Sequence, residues 1–103
     1  MNNYSYKADP RIADFTRLAE LFGALSDPNR LRIISILMEG ERSVGQIADR
    51  VALSESAVSH QLRGLRQMRL VRARKLGRQV FYALNDDHVA RLYELGLEHT
   101  LDG

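Results

Sequence analysis

Four side chains near the C-terminus, Asp86, His88, His99 and Asp102, are of the types that bind a transition-metal ion. His88 and His99 lie eleven residues apart, close to three helical turns, so in one helix they share a side but sit roughly 16 Å apart along the axis. They cannot grip one ion within one chain. Two copies of the helix packed antiparallel across a two-fold axis would bring the Asp86/His88 end of one against the His99/Asp102 end of the other, because His99 and Asp102 are i and i+3 neighbours. Each of the two equivalent sites would offer two imidazoles and two carboxylates, a set suited to tetrahedral Zn(II), with Co(II) as a substitute. Cysteine is absent, so no thiolate favours softer ions such as Cu(I) or Cd(II). On spacing alone a plainer reading stays open: surface histidines, and first-turn aspartates favoured by the helix dipole.

A second chemistry is written into Ser54–Met68, SESAVSHQLRGLRQM. On a 3.6-residue helix Val58, Leu62 and Leu65 stack on one side, while Ser56, Ser59, His60, Arg63 and Gln67 gather on the other. The polar side carries hydroxyls, an imidazole, an amide and a guanidinium but no carboxylate, so each member can donate a hydrogen bond to an acceptor-rich surface. Nucleic acid is such a surface. Ser54 is placed to cap the helix, with Glu55 in the first turn against the positive end of the dipole.

The elements that must position these groups follow from the pattern. Residues 1–9 read as frayed. A first helix runs from Pro10, with Ile12, Phe15, Leu18, Ala19, Phe22 and Leu25 at helical spacing, and its mixed face suits packing on a partner chain. Asp27 caps a second helix with Pro28 at its first position and Leu31, Ile34, Leu37 and Met38 as its apolar stripe, ended by Gly40. Ser43 precedes a short helix over Val44–Val51 with Ile47 and Ala48 inward, the small Ala48 letting the next helix cross closely. The turn Val51-Ala52-Leu53 then leads to Ser54, a helix-turn-helix in which Ala52 stands where glycine is common, so the turn is strained or of another kind.

After Met68 the period changes to two. Leu70–Lys75 and Gln79–Leu84 flank Leu76-Gly77-Arg78, a hairpin with glycine at its tip and Arg74, Lys75 and Arg78 around it, placed for a backbone or minor-groove contact. Asn85 caps a last helix from Asp86 to about Thr100, with Val89, Leu92, Tyr93 and Leu95 apolar. The expected fold is one domain over residues 1–103: mainly α with a two-stranded β wing, in the order ααααββα.

Charge is distributed unevenly. Between Ser56 and Asn85 stand seven basic residues (Arg63, Arg66, Arg69, Arg72, Arg74, Lys75, Arg78) and no acidic one, which leaves 8 of the 15 basic residues and all 13 acidic ones elsewhere. One basic segment on an otherwise acidic chain is the electrostatic footprint of phosphate binding. A membrane surface fits poorly, since the serine-rich helix lacks the bulky apolar face that interfacial helices insert. No apolar run approaches the roughly 20 residues needed to span a bilayer. The N-terminus MNNYSYKADPR lacks the apolar core of a secretory signal, and with no cysteine a cytoplasmic location is expected. A 103-residue chain buries a modest share of its surface, so a homodimer is expected.

LSDPNRLRIISIL, followed by SVGQIADRVALSESAVSHQLRGLRQMRLVRARKLGRQVFYAL, resembles the ArsR/SmtB family of metal-responsive winged-helix repressors over nearly the whole chain. The resemblance implies a dimer that binds operator DNA without metal and releases it when metal binds. It implies Ser56, Ser59 and His60 near base edges, with Arg63 and the wing on phosphates. The zinc-sensing branch is similar around Asp86, His88, His99 and Asp102, position by position, although its last ligand is a His or an acid and here is the shorter Asp102, next to the terminal Gly103. By the same similarity His99 should pass metal binding to the backbone carbonyl of Arg69 and onward near Leu65. Another site of the family needs a cysteine where Glu41-Arg42-Ser43-Val44-Gly45 has serine, so the thiolate site is absent.

The expected function is a metal-sensing repressor, released from operator DNA by Zn(II) at sites between subunits, with no small organic substrate. Within the same class stands a repressor with a vestigial metal site that answers to another inducer. An enzyme such as a zinc hydrolase is disfavoured, because four side-chain ligands close the site that catalysis needs open. A module whose basic segment binds an acidic protein would differ from a repressor in lacking sequence preference for duplex DNA.

Overall fold

The computed structural model describes residues 14–102. Five helices and three short strands follow one another as α1 (Phe15–Ala24), α2 (Pro28–Leu37), β1 (Arg42–Ser43), α3 (Val44–Val51), α4 (Glu55–Gln67), β2 (Val71–Leu76), β3 (Gln79–Leu84) and α5 (Asp87–Asp102). Pro10 and Ile12, expected in the first helix, lie outside the described residues. Asp14 caps α1, its carboxylate accepting the Arg17 N–H at 3.1 Å.

The caps of α2 and α3 fall where their residue types place them. The Asp27 carboxylate accepts the Asn29 N–H at 2.7 Å with Pro28 next in line. At α3, Ser43 Oγ accepts the Gln46 N–H at 3.2 Å while Gln46 Oε1 accepts the Ser43 N–H at 2.8 Å, a reciprocal box that satisfies two donors otherwise lost at a helix start. α2 supplies the centre of the core through Ile33, Ile34, Ile36 and Leu37, with Ile47, Ala48 and Val51 of α3 and Val58, Leu62 and Leu65 of α4 packed on it. Leu31, expected in the inward stripe of α2, is instead 39% exposed. It stands on the flank that faces α5, where the chain leaves an open apolar groove.

The wing differs from expectation in three respects. β1 adds a third strand, order β1-β3-β2, with Arg42 opposite Tyr82 and Ser43 opposite Phe81. Two residues cannot display a period of two, so the sequence carries no sign of this strand. The turn is also tighter: Leu76 pairs with Gln79, leaving Gly77 and Arg78 as the loop, and Gly77 takes φ +64, as a two-residue hairpin with glycine first requires. Leu70 joins the core rather than the strand.

At α5 the cap is Asp86, not Asn85: Asp86 Oδ1 accepts the Val89 N–H at 3.2 Å, and Asn85 donates its side-chain amide to Asp86 Oδ2 at 3.1 Å. Only Val89 of α5 is fully buried, while Leu95, Leu97 and Leu101 are 52%, 43% and 77% exposed. No helix among the described residues is long and apolar enough to cross a membrane.

Candidate nucleic-acid interface and metal-ligand positions

Helix α4 is held from below and capped at its start. Val58, Leu62 and Leu65 are wholly buried, each contributing roughly 1.5–3 kcal/mol of apolar burial, and Ser54 Oγ accepts the Ala57 N–H at 3.0 Å. On the outer side Ser56, His60, Arg63 and Gln67 are exposed and Ser59 is half-buried. The preceding turn is made by Ala52 in the left-handed region, φ 58 and ψ 42, which lets the Leu53 N–H reach the Ala48 carbonyl at 3.3 Å. A cleft of about 290 Å³ between α3, α4 and the wing is lined by Glu55, Ser59, Arg78 and Gln79, so the wing's Arg78 stands beside the outer side of α4.

The three wing cations are not equivalent. Arg74 donates from Nε and Nη2 to the two carboxylate oxygens of Glu41 at 2.7 and 2.8 Å, and its guanidinium lies 5.6 Å from the Phe81 ring centroid. Hydrogen bonding from Arg74 holds the Glu41 carboxyl below its ordinary range, and the same bond holds Arg74 above its own. Lys75 and Arg78 are exposed and form no ion pair among the described residues. Arg72, though part of the basic segment, is engaged elsewhere. Its Nη1 donates to the Leu84 and Asn85 carbonyls at 3.2 and 3.0 Å, tying the wing's base to the start of α5. Glu41 and these carbonyls gave no sign in the sequence, because they lie 33, 12 and 13 residues from the arginines they meet.

The four metal-ligand candidates stand at the two ends of α5. His88 Nδ1 is 3.7 Å from Asp86 Oδ1, and the His88 side chain is 93% exposed. His99 and Asp102 are exposed at the far end. Among the described residues no three His, Asp or Glu side chains of one chain come together as a metal site, in keeping with the eleven-residue separation. Partial burial pushes the Asp86 carboxyl up, but the Val89 N–H, the Asn85 amide and His88 together outweigh it and hold the carboxyl below its ordinary value. The donors fit a borderline ion. A carboxylate has about four lone-pair sites, so the two hydrogen bonds to Asp86 orient it and leave capacity for a metal.

Residues 27–73 match the family pattern described as "Bacterial regulatory protein, arsR family". The chain is similar to a transcriptional repressor SmtB homolog of Synechocystis sp., 51% identical over 83 residues, covering 81% of this chain and 63% of that one. It thus spans a little under two thirds of that repressor's length. It is also 39% identical to the HTH-type transcriptional regulator NmtR of Mycobacterium tuberculosis, covering 82% of this chain and 70% of the regulator. Among solved structures, a homodimeric winged helix-turn-helix DNA-binding domain from Mycobacterium bovis, a possible ArsR-family regulator, superposes with a TM-score of 0.80 at 31% identity, covering 95% of this chain and 90% of that one. With a winged helix-turn-helix among its described residues, and with 39% identity to a regulator of which it covers 70%, the chain belongs to the ArsR family of bacterial regulatory proteins.

Proposed function

We propose that this protein is a cytoplasmic transcriptional repressor that binds operator DNA as a homodimer and leaves it when Zn(II) binds between the subunits. The observation that carries the DNA half is the outer side of α4, where Ser56, Ser59, His60, Arg63 and Gln67 can each donate a hydrogen bond, standing beside a wing whose Lys75 and Arg78 are unpaired among the described residues. Ser56, Ser59 and His60 read base edges. Arg63, Gln67, Lys75 and Arg78 take backbone phosphates, and Arg74, its charge already met by Glu41, chiefly stiffens the wing.

The dimer is supported by the apolar surface that one chain leaves open. A groove of about 560 Å³ between α1, α2 and α5 is lined by Phe22, Leu31, Leu92 and Leu97. A second copy seated there would set the two α5 helices against each other, with Asp86 and His88 of one facing His99 and Asp102 of the other. Bound zinc would supply a fixed charge holding the subunits in one relative pose. The protein's own part is to present two α4 helices at a spacing that successive major grooves accept, or do not. His99 passes the change on through the carbonyl of Arg69, whose backbone is left-handed at φ 59.

The test is a zinc titration into the complex with the protein's own upstream promoter DNA, read by fluorescence anisotropy, with chelator added last. Release by zinc, recovery with chelator, and loss of release in His88→Ala and His99→Ala are expected. Tight binding indifferent to zinc would favour the second reading, a repressor of the same build that answers to another inducer.

A further inference from the structure

One guanidinium joins three helices at the flank of α4. Arg30, in the first turn of α2, donates from Nε to Gln61 Oε1 at 2.7 Å and from Nη1 to the carbonyl of Ala24, the last residue of α1, at 3.3 Å. Its Nη2 occupies the space where a side chain at Gly64 would begin: a Cβ built there falls 2.9 Å from that nitrogen. Gln61 and Gly64 are i and i+3 neighbours on the side of α4 that faces α2, and each adjoins a residue of the outer side, His60 and Arg63. Glycine inside a helix is unfavourable relative to alanine, so its presence here needs a reason. The reason is room for Arg30. Arg30 forms no ion pair among the described residues; its hydrogen bonds go to an amide and a carbonyl, which are directional partners rather than charge partners.

The core beneath α4 fixes how deep the helix sits, but Val58, Leu62 and Leu65 press on it without direction. A hydrogen bond has direction. At a side-chain radius of about 6 Å, a rotation of about 15° around the helix axis moves an outer tip by roughly 1.5 Å, more than the tolerance of a hydrogen bond to a base edge. We propose that Arg30 is a positioning residue that fixes the rotation of α4 about its own axis, through its bond to Gln61 and the slot at Gly64, and thereby sets sequence selectivity without touching DNA. This role rests on α4 being the DNA-reading helix.

Three variants of the full-length protein test it: Gln61→Met, which keeps length and helix propensity but accepts no strong bond; Gly64→Ala, which displaces the guanidinium; and Arg30→Lys, which keeps the charge and removes the fork. Each is measured for unfolding temperature, for affinity to a duplex selected from random sequence by the parent protein, and for affinity to a scrambled duplex. Gly64→Ala should hold or raise the unfolding temperature, because alanine favours the helix, yet lose about tenfold in affinity for the selected duplex and under about twofold for the scrambled one. In the Arg30→Lys background the same substitution should cost nothing further. Gln61→Met should behave as Gly64→Ala does on DNA. Equal losses on both duplexes, or losses that track unfolding temperature, would reduce Arg30 to a packing residue. If the parent protein selects no sequence, the reading of α4 falls by itself; residual dipolar couplings of the α4 amides in the free protein then decide the positioning role, which unchanged couplings in Gln61→Met would refute.

Discussion

Among the described residues, two that carry side chains hold the left-handed backbone region, Ala52 at φ 58 and Arg69 at φ 59, and both end helices. After α4 the Leu70 N–H reaches the Leu65 carbonyl at 2.9 Å and the Arg69 N–H reaches the Arg66 carbonyl at 3.0 Å, the paired bonds of a Schellman ending in which glycine is the usual occupant. An L-residue there costs about 1–2 kcal/mol. Ala52→Gly relieves that clash but gives the unfolded chain more freedom, for an expected net gain of about 1 kcal/mol and a rise of several degrees in unfolding temperature, measured at fixed protein concentration. Operator affinity should stay within about twofold, since Ala52 lies outside the recognition face. Arg69→Gly should gain similar stability but weaken zinc-driven release, because the carbonyl proposed to receive the His99 N–H would lose its fixed direction. A matched gain in stability with release intact would remove Arg69 from the relay.

At the scale of the element, the wing shows what a basic stretch conceals. Seven cations stand between Ser56 and Asn85, yet Arg74 is engaged by Glu41 and Arg72 by the Leu84 and Asn85 carbonyls. A contact with phosphate releases counterions, so each one lost lowers the slope of log K against log salt by about 1. In a two-fold dimer each substitution removes two contacts, so Lys75→Ala and Arg78→Ala should each lower the slope by about 2, and Arg74→Ala by a distinctly smaller amount. Glu41→Gln frees Arg74 and should steepen the parent slope. Acid should act in the same direction: Glu41 has a lowered pKa in the folded chain, so its pairing is fully present above the ordinary carboxylate value and is lost as pH falls through the lowered one. Equal slopes for Arg74→Ala and Lys75→Ala would place Arg74 on the DNA after all. The helices, the caps at Asp27 and Ser54, and the wing hairpin were legible because each is encoded within a few residues. β1, the Asp86 cap in place of Asn85, and the partners of Arg30, Arg72 and Arg74 were not. Strand β1 is too short to show a period, two adjacent capping types compete at Asn85-Asp86, and the remaining contacts join residues 6 to 33 positions apart. Of the candidate site, residue types and helical faces could be read in advance, while the neutralisation of single cations could not.

For the whole molecule the deciding quantity is apolar surface left uncovered. Phe15, Phe22, Leu95, Leu97 and Leu101 are 63%, 53%, 52%, 43% and 77% exposed on the first and last helices, and Phe22 and Leu97 line the open apolar groove that a second copy would cover. Leu76 at the wing tip is 56% exposed but stands alone, and supplies an internal control. Leu97→Glu should turn the dimer into a monomer in sedimentation equilibrium and remove operator binding and zinc-driven release together, while Leu76→Glu leaves the dimer intact. Joint loss is expected because a closed two-fold interface makes half-site spacing and ligand set depend on the same contact. The two ligands must then be linked through that contact. If zinc weakens operator binding by some factor, operator DNA weakens zinc binding by the same factor, and a coupling of about 1–3 kcal/mol corresponds to roughly 5–150-fold. Zinc affinity measured by competition with a chromophoric chelator, with and without operator, should return the factor seen in the anisotropy titration. A dimer whose zinc affinity is unchanged by operator, while zinc still releases the DNA, would break that equality and point to metal acting on the DNA or on an unfolded fraction instead of through the α5 pair.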